Sequence, residues 1–158
     1  MTGDTGLAQR LVRLLQEEHT QLEGFVNLLK QEESLLVASQ IDPLMVLAGQ
    51  KTEQYRRLQR LSDERIALFA RVGVPMSKEA IQTVLGASPD ALALWDSVIA
   101  LAREAHERNR INGQLITERL QNNQQALSTL LMAAEAPQIY GPDGQSRPTA
   151  SRRHLGSV

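Results

Sequence analysis

Along the first 38 positions apolar residues recur at alternating steps of three and four: Leu11, Leu15, Leu22, Phe25, Leu29 and Leu36, with Glu18 and Glu32 in the same register. That spacing is the period of an amphipathic helix and predicts one from Leu7 to about Ala38. In Ile41-Asp42-Pro43 an acid in N-cap position precedes a proline, whose missing N–H costs nothing at the first helical position. A second helix therefore starts there and runs through Leu44, Leu47, Leu58, Leu61, Leu68 and Val72. Gly73 supplies a left-handed terminator and Pro75 prevents continuation. Ser77 caps a short third helix, Lys78 to about Leu85, ended by Gly86.

Ser88-Pro89-Asp90 repeats the cap-and-proline start, and no proline follows until Pro137. The helix beginning there has room for more than 45 residues, roughly 70 Å at 1.5 Å per residue. A seven-residue repeat threads it: Leu92, Trp95, Ile99, Ala102, His106, Asn109, Gly113, Ile116, Leu120, Asn123, Leu127 and Leu130. Such a seam wants helical partners. His106, Asn109, Gly113 and Asn123 interrupt it, and Gly113 alone costs about 1 kcal/mol relative to alanine, so the helix is expected to loosen there. After Ala136 the chain turns to Pro, Gly, Ser and Arg and cannot bury enough surface to order itself. The expected fold is all-α: an elongated antiparallel bundle or coiled coil of three long helices plus a short connecting helix. Residues 1–136 form a single helical domain and 137–158 a flexible, disordered C-terminal tail.

Composition agrees and removes whole classes of function. Hydrophobic residues make up 42% of the 158 but aromatics only 3%, the Leu- and Ala-rich mix of helix packing. Seventeen basic against 18 acidic residues leave a net charge of −1, too small a basic field to hold a nucleic-acid backbone. The chain has no cysteine, which excludes disulfides, thiolate metal sites and cysteine nucleophiles. Met1 to Gln16 lacks the continuous apolar stretch of a signal peptide, and no run approaches the roughly 20 residues of a membrane span. The expected location is the cytoplasm, without membrane insertion.

Catalytic and metal chemistry find no support. A carboxylate-bridged metal site in a bundle needs a glutamate three residues before a histidine. His19 has Gln16 at that position and His106 has Arg103. No phosphate-cradling loop lies between a strand and a helix. No catalytic residue, metal ligand or cofactor is therefore assigned. Trp95 reads as core, His106 as a partly buried spacer, and the pairs Glu17-Glu18 and Glu32-Glu33 as solvated faces.

Two stretches stand out as binding candidates. Between Ile111 and Leu131, Leu115, Ile116, Leu120, Leu127, Leu130 and Leu131 spread too widely around the helix for one narrow seam. They suit a partner's amphipathic helix and a three-helix core equally well. Gln138-Ile139-Tyr140-Gly141-Pro142-Asp143-Gly144-Gln145 places a lone aromatic and turn residues inside a polar tail. It suits either a docking motif that orders on binding or a segment that packs back onto the helices.

Asn112-Gly113, then Asn123-Gln124-Gln125-Ala126-Leu127, then Tyr140-Gly141-Pro142-Asp143-Gly144-Gln145 together resemble the C-terminal signature of FlgN-type flagellar export chaperones. That resemblance implies a chaperone that binds the C-terminal helical ends of the hook–filament junction proteins FlgK and FlgL before secretion. It implies client contacts at Asn112, Leu115, Ile116, Leu120, Asn123, Leu127, Leu130 and Leu131. Docking to the cytosolic domain of the export gate FlhA falls to Tyr140, with Gly141, Asp143 and Gly144 forming its turn. Two features depart from the family: a pI of 6.3 where its members are often distinctly acidic, and a terminal Arg152-Arg153-His154 cluster. A structural coiled-coil or adaptor protein is the alternative reading, and the oligomeric state is open.

Overall fold

A computed structural model describes residues 2–133, and the segment expected to form the tail lies outside the described residues. Four helices account for nearly all of that span: α1 (Thr2–Val37), α2 (Ile41–Arg71), α3 (Lys78–Leu85) and α4 (Pro89–Ala133). No strand occurs among the described residues, so the chain is all-α as expected. Residues up to Asn112 form one compact unit, and a second begins at Gly113 within α4.

The helix boundaries follow local chemistry, with three departures from expectation. α1 ends on Ser39 in the left-handed conformation (φ 57°), where Ser39 N–H donates to Leu36 O and Gln40 N–H to Leu35 O. This is the double backbone closure normally given to glycine, and no glycine announces it in the sequence. Gly73 (φ 72°) performs the same closure for α2, with Gly73 N–H donating to Ala70 O and Val74 N–H to Phe69 O. The expected Asp42 cap is not used. α2 starts at Ile41 after Gln40, which makes no side-chain cap, while Asp42 sits in the first turn against the positive end of the helix dipole. Ser77 and Ser88 cap as expected, their hydroxyls accepting from Ala80 N–H at 3.0 Å and Ala91 N–H at 3.3 Å. Gly86 closes α3 in a right-handed conformation (φ −58°), not the left-handed one.

Within the first unit α1 is the central strut. Its register is the expected one, with Leu11, Leu15, Leu22, Phe25, Leu29 and Leu36 all buried. The lower core joins Leu11, Leu15 and Leu22 to Leu68 and Phe69 of α2, Ile81 and Leu85 of α3, and Ala91, Trp95 and Val98 of α4. A smaller core continues it through Phe25, Val26, Leu29 and Ala105. Each fully buried large side chain here contributes about 1.5–3 kcal/mol. α3 supplies two such residues from eight, which is why a short helix suffices to close that end.

Glu18 and Glu32, expected on solvated faces, are buried. Glu18 pairs with Arg65 of α2, whose guanidinium also lies 5.6 Å from the centre of the Trp95 ring. Glu32 accepts from Lys51 Nζ at 3.0 Å and from Asn112 Nδ2 at 2.8 Å, and the same Nδ2 donates to Leu29 O at 2.9 Å. The acids occupy core positions because each brings a base of α2 and a residue of α4 to the same point. Moving forward from Glu18 to Glu32 on α1 moves back from Arg65 to Lys51 on α2, so these helices are antiparallel. On α4 the partners advance from Ser97, held by His19 Nε2 at 2.9 Å, to Asn112, so α4 runs parallel to α1.

Removing Glu32 leaves Lys51 and Asn112 facing a low-dielectric gap. Glu32→Ala is expected to lower the unfolding free energy by about 2–3 kcal/mol, less than for a fully buried pair because the Lys51 side chain stays 25% exposed. Urea titration measures it. The apolar triple variant Glu32→Leu, Lys51→Met, Asn112→Leu should regain most of that loss.

Candidate protein-binding surface

The packing face of α4 is set one residue away from the seam read in the sequence. Ala91, Trp95, Val98, Ala105 and Asn112 are the buried positions, with Leu101 and Arg108 partly buried between them. Alanine at 91 and 105 is a weak apolar signal, and a reading that follows the bulkier Leu92, Ile99 and Ile116 lands on the neighbouring stripe. His106, Asn109 and Gly113 are consequently exposed.

Carried forward from Asn112 in alternating steps of three and four, the true packing register reaches Leu115, Arg119, Asn122, Ala126 and Thr129, and has no large apolar residue after Leu115. The adjacent stripe keeps them: Ile116, Leu120, Asn123, Leu127 and Leu130 fall within about 40° of one helical direction at 100° per residue. Its apolar members are exposed, Ile116 by 48%, Leu120 by 54%, Leu127 by 48% and Leu130 by 67%. Asn123 is exposed with them, and Leu115 and Leu131 are half-buried at the edges. Seven of the eight expected client-contact residues thus lie on the second unit's stretch of α4, and five share one open face. Asn112 is the correction. With no exposed surface and its Nδ2 donating to Leu29 O and Glu32, it holds α4 to α1 within the bundle and is not on the open face.

Tyr140, Gly141, Asp143 and Gly144 lie outside the described residues. Among the described residues no group of acidic, histidine or cysteine side chains is placed to hold a metal, and no helix is long and apolar enough to cross a membrane. On the surface of α4, Arg110 hydrogen-bonds Glu107 at 2.6 and 2.9 Å, holding that carboxyl below its ordinary pKa and raising its own.

Two apolar surfaces of the first unit were not read from the sequence. A groove of about 440 Å³ has Leu22 and Phe25 as its floor, Tyr55 and Leu58 on the α2 side, and His106 and Asn109 on the α4 side. At the α1–α2 turn, Val37, Ile41, Met45 and Val46 are all more than 60% exposed. For the turn the available signal was register: Ile41, Met45 and Val46 fall off the stripe that carries Leu44, Leu47 and Leu58.

Residues 1–148 match the protein family described as FlgN protein, so the match extends through the N-terminal helices, beyond the C-terminal stretches that carried the resemblance. The chain belongs to the FlgN family. It is similar to the flagella synthesis protein FlgN of Salmonella typhimurium, 25% identical over 139 residues that cover 87% of this chain and 90% of that one. The flagella synthesis protein FlgN of Yersinia enterocolitica serotype O:8 is 24% identical over 143 residues, covering 89% and 92% of the two chains. No solved structure matches this FlgN-family chain.

Gly113 stands where the apolar stripe changes face, and a Cβ built on it meets nothing within 4 Å. Gly113→Ala is therefore expected to stabilise α4 by about 0.5–1 kcal/mol. Far-UV circular dichroism should show higher helicity, and amide exchange should slow at residues 110–120.

Proposed function

We propose that this FlgN-family protein is a cytoplasmic flagellar export chaperone that binds the amphipathic C-terminal helices of the junction proteins FlgK and FlgL and brings them to the FlhA gate. The observation that carries the reading is the change of face at Gly113. Beyond it the packing register of α4 turns polar, while the neighbouring stripe keeps its large apolar residues and leaves them in water. Evolving a core needs no such offset; presenting a surface to a second helix does.

The mechanism is coupled folding and binding, with no bond made or broken. A client tail, disordered alone, gains helix as it covers Ile116, Leu120, Leu127 and Leu130, with Leu115 and Leu131 at the margins and Asn123 supplying a polar contact. Apolar burial at about 25 cal/mol per Å² drives the complex, and the ordering entropy of the client offsets part of it. The net affinity stays reversible, as delivery requires. Residues 1–136 act as the helical domain and 137–158 as the tail, in which Tyr140, with Gly141, Asp143 and Gly144, docks the loaded complex at the gate.

Leu120→Glu with Leu127→Glu is expected to weaken a FlgK C-terminal peptide about 100-fold in fluorescence titrations, since two apolar contacts become buried charges. The melting temperature of the free protein should stay within 2–3 °C of the parent, as both side chains are already exposed (roughly the shift expected for half a kcal/mol). Tyr140→Ala should abolish binding to the FlhA cytosolic domain and leave the peptide titration unchanged. Equal loss of both activities would sink the division of roles. A stable homo-oligomer that no junction-protein tail dissociates supports the structural coiled-coil or adaptor reading instead.

A further inference from the structure

The outer face of the α1–α2 hairpin carries a concentration of arginine that neither client nor gate binding uses. Two shallow grooves lie along it, of about 420 and 380 Å³. Arg10, Arg13 and Arg71 rim one, and Arg57 and Arg60 rim the other. Glu17 and Glu64 line both. The floors are apolar, made by Leu61 in one groove and Leu14 and Leu68 in the other.

Most other arginines of the bundle are engaged: Arg65 with Glu18, Arg108 with Glu33 and Glu104, Arg110 with Glu107. On this face only Arg57 is paired, with Glu53 at 3.7 Å. Arg10, Arg13, Arg60 and Arg71 are exposed and make no ion pair among the described residues, although Glu17 and Glu64 lie between them.

The antiparallel register orders these charges. Because Glu18 faces Arg65 and Glu32 faces Lys51, Arg71 falls level with Arg10 and Arg13, and Arg57 and Arg60 fall about 12 residues further along α1. At 1.5 Å per residue the two basic centres are about 19 Å apart, with the two glutamates at the midpoint. We propose that this face docks an acidic amphipathic helix of a partner protein, with carboxylates in two groups about 11–14 residues apart, a basic residue between them and apolar residues directed into the grooves.

Charge complementarity selects this occupant. Guanidinium forks suit carboxylates, and the apolar floors give a helix something to bury. A nucleic-acid backbone or an anionic membrane presents continuous negative charge, which Glu17 and Glu64 repel at the centre of the face. The face uses no residue of the α4 stripe and does not use Tyr140, so the inference does not depend on which client or gate the protein serves.

The test uses the full chain and a labelled helical peptide with two glutamate pairs about 11 residues apart, a lysine midway and leucines on the same face. The glutamate peptide should bind by fluorescence anisotropy and weaken with salt, and its glutamine counterpart should bind about tenfold less tightly. Arg13→Glu with Arg60→Glu should weaken the glutamate peptide at least about tenfold, and Arg13→Gln with Arg60→Gln by an intermediate factor. Circular dichroism melts verify that each variant is folded. No binding of the glutamate peptide, equal binding of the two peptides, or binding unaffected by charge reversal overturns the proposal. So does tighter arginine-dependent binding of phosphatidylserine vesicles or of a 20-nucleotide DNA strand.

Discussion

Two buried carboxylates on α1 fix how the helices of the first unit meet. Leucine and alanine cores are permissive, because a seven-residue slip replaces one apolar contact with another of similar size. Glu18 and Glu32 remove that freedom. Each must find its base on α2, and their partners on α4, the Trp95 ring through Arg65 and the Asn112 amide directly, must arrive at the same levels. Neither node is fully satisfied, since Arg65 Nε and Asn112 Oδ1 are buried without a hydrogen-bond partner among the described residues. Polar contacts of this quality set alignment more than they add stability.

That alignment ends at Asn112. It is the last buried residue of α4, and the glycine after it marks the point where large apolar side chains change to the adjacent face. α4 is packed by its own chain up to that residue and exposed from the next, and its 45-residue length joins the two stretches without a loop, and so without unsatisfied backbone groups, between them.

Helix number, order and nearly all boundaries were legible in the sequence, because long leucine repeats, Ser77, Ser88 and Gly73 act through local chemistry that depends little on tertiary context. What the sequence hid was tertiary. Ser39 takes a left-handed conformation that only its surroundings select, and Gln40 displaced Asp42 at the start of α2. Glu18 and Glu32 stood in a core register, yet a carboxylate becomes a core residue only when a base 19 or 47 residues away folds beside it. The face of α4 was misread by one residue because two of its buried positions, Ala91 and Ala105, carry small side chains, the weakest apolar signal. Of the residues named from Leu115 onward, Ile116, Leu120, Asn123, Leu127 and Leu130 share one exposed face, and the separation of that face from the bundle's own packing register was not visible before the structure.

The contacts of Asn112 also order the chain in time. Lys51 reaches Glu32 across 19 residues, whereas the Asn112 amide must return across 83 to reach Leu29. Closing the shorter loop costs less entropy and does not wait for the rest of the polypeptide. On a ribosome the α1–α2 hairpin is complete before the end of α4 has been synthesised, and α4 then docks onto a finished platform. Its distal half, with the exposed apolar stripe, is therefore the last of the described helical residues to emerge, which shortens the period in which that surface is exposed beside an unfinished fold.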